Sequence, residues 1–265
     1  MQFNKPLTIV CIPAYNEERT IAKVILLSQT WANKVVVCDD GSIDMTSDIA
    51  TRLGAEVIKH EKNMGKGVAL RTMFEYAKTL NPDAVITLDA DGQHMPDEIP
   101  KLLEPILSEQ ADAVIGSRYI EGSWTDAPFY RKVGLRLVNF LCRKSGNSVV
   151  KDTQSGFRVY SKRAFDTVLQ CEAKGFGIEA EQLATLVKNG FKIIEVPITV
   201  RYKGLEKTSK KNPLKHGTEL ISIALRLIVE ERPLLLLGIP GSIAIIMGVI
   251  SGVYLLWYFN ITRVF

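Results

Sequence analysis

Short apolar runs alternate with helix-periodic stretches along the first half of the chain. Leu7 to Ile12, Lys34 to Cys38, Glu56 to Ile58, Ala84 to Leu88 and Ala113 to Gly116 are brief and largely β-branched, as buried parallel strands are. Between them, Glu18 to Ser28, Met45 to Leu53 and Lys66 to Thr79 carry helical spacing, and Pro96-Asp97-Glu98 opens a further helix through Ile99, Leu102, Leu103 and Ile106. Strand and helix in alternation predict βαβ units: an α/β, Rossmann-like, mostly parallel sheet flanked by helices. With no repeat or low-complexity linker to divide it, the segment 1–212 is expected to be one domain.

The pattern changes towards the carboxyl terminus. From Pro233 to Phe259 there is no charged residue, and as a helix this run extends about 40 Å, more than a bilayer's hydrocarbon core requires. A transmembrane helix over 233–259 is expected, with Trp257 and Tyr258 at an interface and Pro240 either kinking it or marking a later start. Before it, 213–232 carries a broad apolar face (Leu220, Ile223, Leu227) beside Arg226 and Glu230; such a helix either lies in the membrane interface or packs on the domain. Arg226, Arg232 and the lysines from Lys203 to Lys215 precede the span and only Arg263 follows. The positive-inside bias thus predicts a membrane protein with its large domain on the cytoplasmic face.

Composition narrows the class. With 46% hydrophobic and 23% charged residues the chain can bury a full core, and a net charge of +4 is too small to make nucleic acid a partner. Cys11, Cys38, Cys142 and Cys171 lack metal-ligand spacing and read as reduced thiols. No signal peptide is expected, because the amino terminus lacks a basic flank followed by an apolar stretch.

The chemistry gathers at strand ends. Asp89-Ala90-Asp91-Gly92-Gln93 follows the fourth strand, at the edge where open α/β sheets bind ligands. Two carboxylates that close suit one Mg²⁺ or Mn²⁺ shared with substrate phosphates; alternatively Asp91 caps a turn. Pro13-Ala14-Tyr15-Asn16-Glu17 follows strand one and Asp39-Asp40-Gly41-Ser42 strand two, and either could approach a nucleotide, cap a helix or form a turn. Asn63-Met64-Gly65-Lys66-Gly67 opens a helix that could face phosphate, but it lacks the nucleoside-triphosphatase P-loop spacing, and no strand ends in GxGxxG. Arg131, Lys132, Arg136, Arg143 and Lys144 interleave with apolar residues, as on a helix facing lipid headgroups or on an ordinary charged surface.

Together these motifs, with Gly116-Ser117-Arg118 and Asp152-Thr153-Gln154-Ser155-Gly156-Phe157-Arg158, resemble those of the family 2 inverting glycosyltransferases of the GT-A fold. Within that family they are most similar to the dolichyl-phosphate mannose synthase group and its polyprenyl-phosphate glycosyltransferase relatives, over residues 7 to about 232. The resemblance implies a nucleotide-diphosphate sugar donor, nominally GDP-mannose with UDP-glucose or UDP-N-acetylglucosamine as alternatives. It also implies a dolichyl or polyprenyl phosphate acceptor, membrane lipid as a partner, and a divalent metal.

Carried over by position, the resemblance places Pro13, Ala14, Tyr15, Glu17, Val37, Asp40, Lys66, Asp89 and Ala90 around the nucleotide. It gives Asp89, Asp91 and Gln93 the metal, and Arg131, Arg201 and Lys207 or Lys210 the acceptor phosphate. Asp91, Arg118 and Asp152 are the implied catalytic residues. A phosphate monoester is already anionic at neutral pH, so no strong base is required; if one assists, Asp152 or Glu181 is the candidate. Processive polysaccharide synthases carry Gln-x-x-Arg-Trp, which Gln182-Leu183-Ala184-Thr185-Leu186 does not match.

Overall fold

A computed structural model of the protein describes residues 6–126, 150–171, 177–201 and 239–262. In it, β1 (Thr8–Ala14), β2 (Lys34–Asp39), β3 (Glu56–Lys59), β4 (Ala84–Thr87) and β5 (Ala113–Ser117) fall where the apolar runs predict. Helices α1 (Ile21–Gln29), α2 (Thr46–Arg52), α3 (Lys66–Thr79) and α4 (Ile99–Leu107) separate them. Later elements, not read from the sequence, are β6 (Trp124–Thr125), β7 (Arg158–Ser161), α5 (Lys162–Val168), α6 (Ile178–Lys188), β8 (Ile193–Pro197) and β9 (Thr199–Val200).

Seven of these strands form one sheet in the order β3-β2-β1-β4-β7-β5-β8. Six run in the same direction; β7 lies antiparallel between β4 and β5. A series of βαβ units would have set β5 directly beside β4. The later strand β7 is inserted instead, and its reversal has a consequence for the site. It brings the loop at its amino end, Asp152–Phe157, to the edge where the other strands present their carboxyl ends.

Strand alternation feeds two cores. Val10, Ile12, Val37, Ile86 and Val159 face α1, α2 and α4, through Val24, Ala50 and Leu102. On the opposite face Ile9, Cys11, Val36, Val85 and Tyr160 meet Leu70, Met73 and Phe74 of α3 and Phe165 of α5. Phe74 packs edge-on against Phe165 at 5.3 Å and Tyr160 at 6.2 Å, fixing α3 and α5 on one face of the sheet. With helices on both faces, the strands are hydrophobic along their whole length, which explains their continuous apolar runs.

Contacts divide the chain into two units, Met1–Leu220 and Ile221–Phe265. In the second, α7 is described over Ile239–Thr262. Its Ala244–Ile261 window has mean hydropathy 1.8 and no buried residues within the fold, so α7 is long and apolar enough to cross a bilayer. The start expected at 233 and the interfacial helix expected over 213–232 lie outside the described residues.

Candidate active site

The carboxyl edge of the sheet holds a chain of ion pairs. Lys66, the first residue of α3, places Nζ 2.6 Å from Asp89 Oδ1 and 2.7 Å from Glu179 Oε1, in the first turn of α6. Burial disfavours the Lys66 charge, but the two carboxylates outweigh it and hold its pKa above the ordinary value. Asp89 is only partly buried; desolvation works against its charge, yet the Lys66 ammonium keeps its carboxyl below the usual range. Gly156 makes this close packing possible: a Cβ there would lie 2.6 Å from Asp89 Oδ2 and 2.8 Å from Lys66 Nζ.

Among the described residues Asp91 makes no ion pair, and Lys66 offsets the effects that raise its pKa only in part. Burial first, then the neighbouring Asp89 and Glu17, push its carboxyl up to about 7, while the Gln93 backbone N–H donates to its Oδ1 at 2.9 Å. Two adjacent acids are thus held differently, one neutralised by lysine and the other short of a positive charge. His94, whose Nδ1 stands 3.9 Å from Asp89 Oδ2, is driven down to about 4 by burial and is neutral at physiological pH. Among the described residues no three His, Cys, Asp or Glu side chains form a preformed metal cage. Mg²⁺ does not need one, since it binds through one or two carboxylates plus substrate phosphates, and the electron-rich, cation-short Asp91 fits that mode.

Arg118 follows β5. Its Nε and Nη2 each donate at 2.7 Å to Asp152, and its backbone N–H donates at 3.0 Å. Asp152 is fully buried, and Arg118 more than offsets the effect of that burial, lowering its pKa. With both oxygens engaged and its proton affinity reduced, Asp152 is arranged to orient Arg118 and is poorly suited to the general-base role considered for it. The Asp152 turn is itself pinned by Glu195, which accepts from the N–H groups of Lys151 and Asp152 at 2.8 and 2.9 Å. The other base candidate, Glu181, is two residues from Glu179, which on a helix turns it roughly 200° away.

The nucleotide-side loops are stitched together. Asn16, at φ 54°, accepts from the Ile43 N–H at 2.8 Å and donates its own N–H to Ser42 Oγ at 2.8 Å, so it joins two loops and does not cap α1. Gly41 adopts φ 75°, and a Cβ there would meet the Lys62 backbone at 2.5 Å, so only glycine fits. Asp40, expected beside the base, is buried and committed: His60 Nδ1 at 2.7 Å, the Met64 N–H at 2.9 Å and the Gly65 N–H at 2.8 Å all contact it. It anchors the loop that leads into Lys66. Tyr15 is exposed at the rim, whereas Val37 and Ala90 are buried among Ile12 and Leu88 and line the floor beneath the site, not its surface.

Arg201 is brought in by β9. Val200 bridges His94, and the Arg201 N–H donates to the Gln93 carbonyl at 3.0 Å. Arg131, Lys207 and Lys210 lie outside the described residues. The sequence reading missed Glu179, His94, Glu195 and the central use of Arg158, which is buried and donates at 2.8 Å to the carbonyls of Ser155, Glu179 and Thr153. A Glu in the first turn of an amphipathic segment gives no sign of an ion pair with a lysine more than a hundred residues earlier.

Comparison with known proteins identifies the family of the chain. The family described as "Glycosyl transferase family 2" matches residues 9–169. A UDP-N-acetylglucosamine–dolichyl-phosphate N-acetylglucosaminyltransferase of Methanococcus voltae is 36% identical over 74% of this chain and 86% of its own. A polyprenol monophosphomannose synthase of Mycolicibacterium smegmatis is 29% identical over 77% of this chain and 82% of its own. Glucosyl-3-phosphoglycerate synthase of Mycobacterium tuberculosis, solved with Mn²⁺, UDP and phosphoglyceric acid, superposes with a TM-score of 0.65 at 25% identity, covering 84% of this chain and 78% of that one.

Proposed function

The chain belongs to glycosyl transferase family 2 and is a glycosyltransferase, and on that premise we propose that it moves a hexose from a nucleotide-diphosphate sugar to a polyprenyl or dolichyl phosphate, inverting the anomeric centre. The observation that carries this reading is the unequal pair at the end of β4: Asp89 ion-paired with Lys66, and Asp91 raised to about 7 by burial and by the neighbouring Asp89. That pair suits a metal-bridged diphosphate, and Asp91, with Asp89 and Gln93 alongside, would hold the ion. Bound Mg²⁺ or Mn²⁺ supplies neutralisation of the departing nucleoside diphosphate.

The protein's own groups do the rest. Tyr15 and the 15–17 and 41–43 loops receive the nucleoside, and Lys66 stands at the diphosphate. Arg118, aimed by Asp152, offers a fixed guanidinium to phosphate oxygens. The acceptor phosphate is anionic at neutral pH, so Asp152 need not take a proton. Arg201 and the cationic segments carrying Arg131, Lys207 and Lys210 would grip that phosphate.

For the donor, the 36% identical relative favours UDP-N-acetylglucosamine. GDP-mannose is the second reading, favoured by the 29% identical synthase. The cations preceding α7 favour a domain held at the cytoplasmic face of a membrane. Incubating detergent-solubilised protein and polyprenyl phosphate with radiolabelled UDP-N-acetylglucosamine, UDP-glucose and GDP-mannose in turn tests the assignment. Label should enter the organic phase from one donor; label from none would reject it.

A further inference from the structure

Glu179 has one carboxylate oxygen unaccounted for. Oε1 meets Lys66, but Oε2 is buried with no hydrogen-bond partner among the described residues, on a side chain 4% exposed. The position is not slack: Arg158, itself buried, donates from Nη1 to the Glu179 carbonyl at 2.8 Å and ties the start of α6 to β7. A buried acceptor left unsatisfied is destabilising, and a bound donor group would relieve that cost.

The chemistry and the strand order together identify that group. A carboxylate oxygen repels the diphosphate and attracts a hydroxyl or amide N–H. Such donors exist on the base, the ribose and the hexose. The nucleoside loops lie at the ends of β1 and β2, whereas Glu179 is anchored to β7, across β4 from them in the sheet. Following Asp89 and Lys66 from the diphosphate, Glu179 lies on the side away from the nucleoside.

We propose that Glu179 Oε2 accepts a hydrogen bond from a hydroxyl of the donor's hexose, making Glu179 a specificity-determining residue for the sugar. The inference rests on the donor-site reading above. Its structural alternative is that Glu179 serves only as a counter-ion to Lys66.

Calorimetry on the full-length protein in detergent with Mn²⁺ separates the two, using UDP, UDP-N-acetylglucosamine, GDP and GDP-mannose as probes against wild type, Glu179→Gln and Glu179→Ala. For the nucleotide pair that wild type binds, Glu179→Ala should weaken the nucleotide sugar about tenfold while leaving the free diphosphate within about twofold. Glu179→Gln, which keeps an acceptor oxygen, should fall between. Retained diphosphate binding also shows that the variants are folded. Equal weakening of both probes, or of neither, would overturn the proposal. If wild type binds none of the four, the donor-site reading itself fails and this inference goes with it.

Discussion

Lys66 Nζ lies 2.6 Å from Asp89 Oδ1, and this contact makes two neighbouring acids inequivalent. Asp89 is ion-paired within the protein, whereas Asp91 is raised to about 7 by burial and by Asp89. Only a residue without a side chain can stand beside the pair. Gly156→Ala would thrust a methyl to within 2.6 Å of Asp89 and should cut transfer by about 100-fold while circular dichroism stays native, since small displacements at a reacting centre are costly. Activity within threefold of wild type would contradict the tight-packing account.

Asp91 gives a pH signature. Its carboxyl is raised to about 7, and a metal ligand must be deprotonated, so Mn²⁺ affinity should fall about tenfold per unit as pH drops below about 7 and level off above it. Without metal, the sign for stability is the reverse of an ordinary salt-bridged acid. A folded-state pKa above the unfolded one gives stability that is present in acid and lost as pH rises through about 7. Metal-free melting temperature should therefore decline from about pH 4 to about pH 7 and level off above it, and Asp91→Asn should flatten the decline. A Mn²⁺ affinity indifferent to pH over that range would remove Asp91 from the metal.

Asp152 is a positioning residue in this account. Asp152→Asn should lower the rate by about 10²-fold by loosening Arg118, yet leave the acid limb of the pH–rate profile where it is in the wild type. Disappearance of that limb would restore Asp152 as a base.

Asp40 should behave as a clamp on the loop into Lys66. Asp40→Ala strands the His60 ring and the N–H groups of Met64 and Gly65, and a loss of about 2–3 kcal/mol in urea unfolding is expected together with a raised donor KM. A raised KM with unchanged stability would instead indicate direct contact with the nucleotide.

Much of the fold was legible because it was local. α3 spans Lys66–Thr79 as its periodicity predicts, preceded by Gly65 at φ 98°, a backbone conformation suited to glycine. β1 to β5 follow from apolar runs that the two-sided burial of a parallel sheet requires. β7 was not legible: its four residues begin with Arg158, whose burial makes sense only once three carbonyls converge on its guanidinium. The site divides in the same way. Asp89, Asp91 and Gln93 announce themselves as a motif, whereas Glu179 and Glu195 matter through contacts that the sheet order creates. Asp40 and Val37 sit within a recognisable motif, yet both are buried and Asp40 is bonded to His60, Met64 and Gly65, which linear spacing does not report.

Metal-dependent sugar transfer to a lipid phosphate through Asp91 can be tested in a single assay. The most direct measurement is formation of labelled polyprenyl-phosphate sugar by wild type and Asp91→Asn, each with Mn²⁺ and with a chelator. The account predicts product only from wild type with metal, with Asp91→Asn down by at least about 10³-fold although folded. Comparable product from Asp91→Asn, or from wild type with chelator, would contradict it.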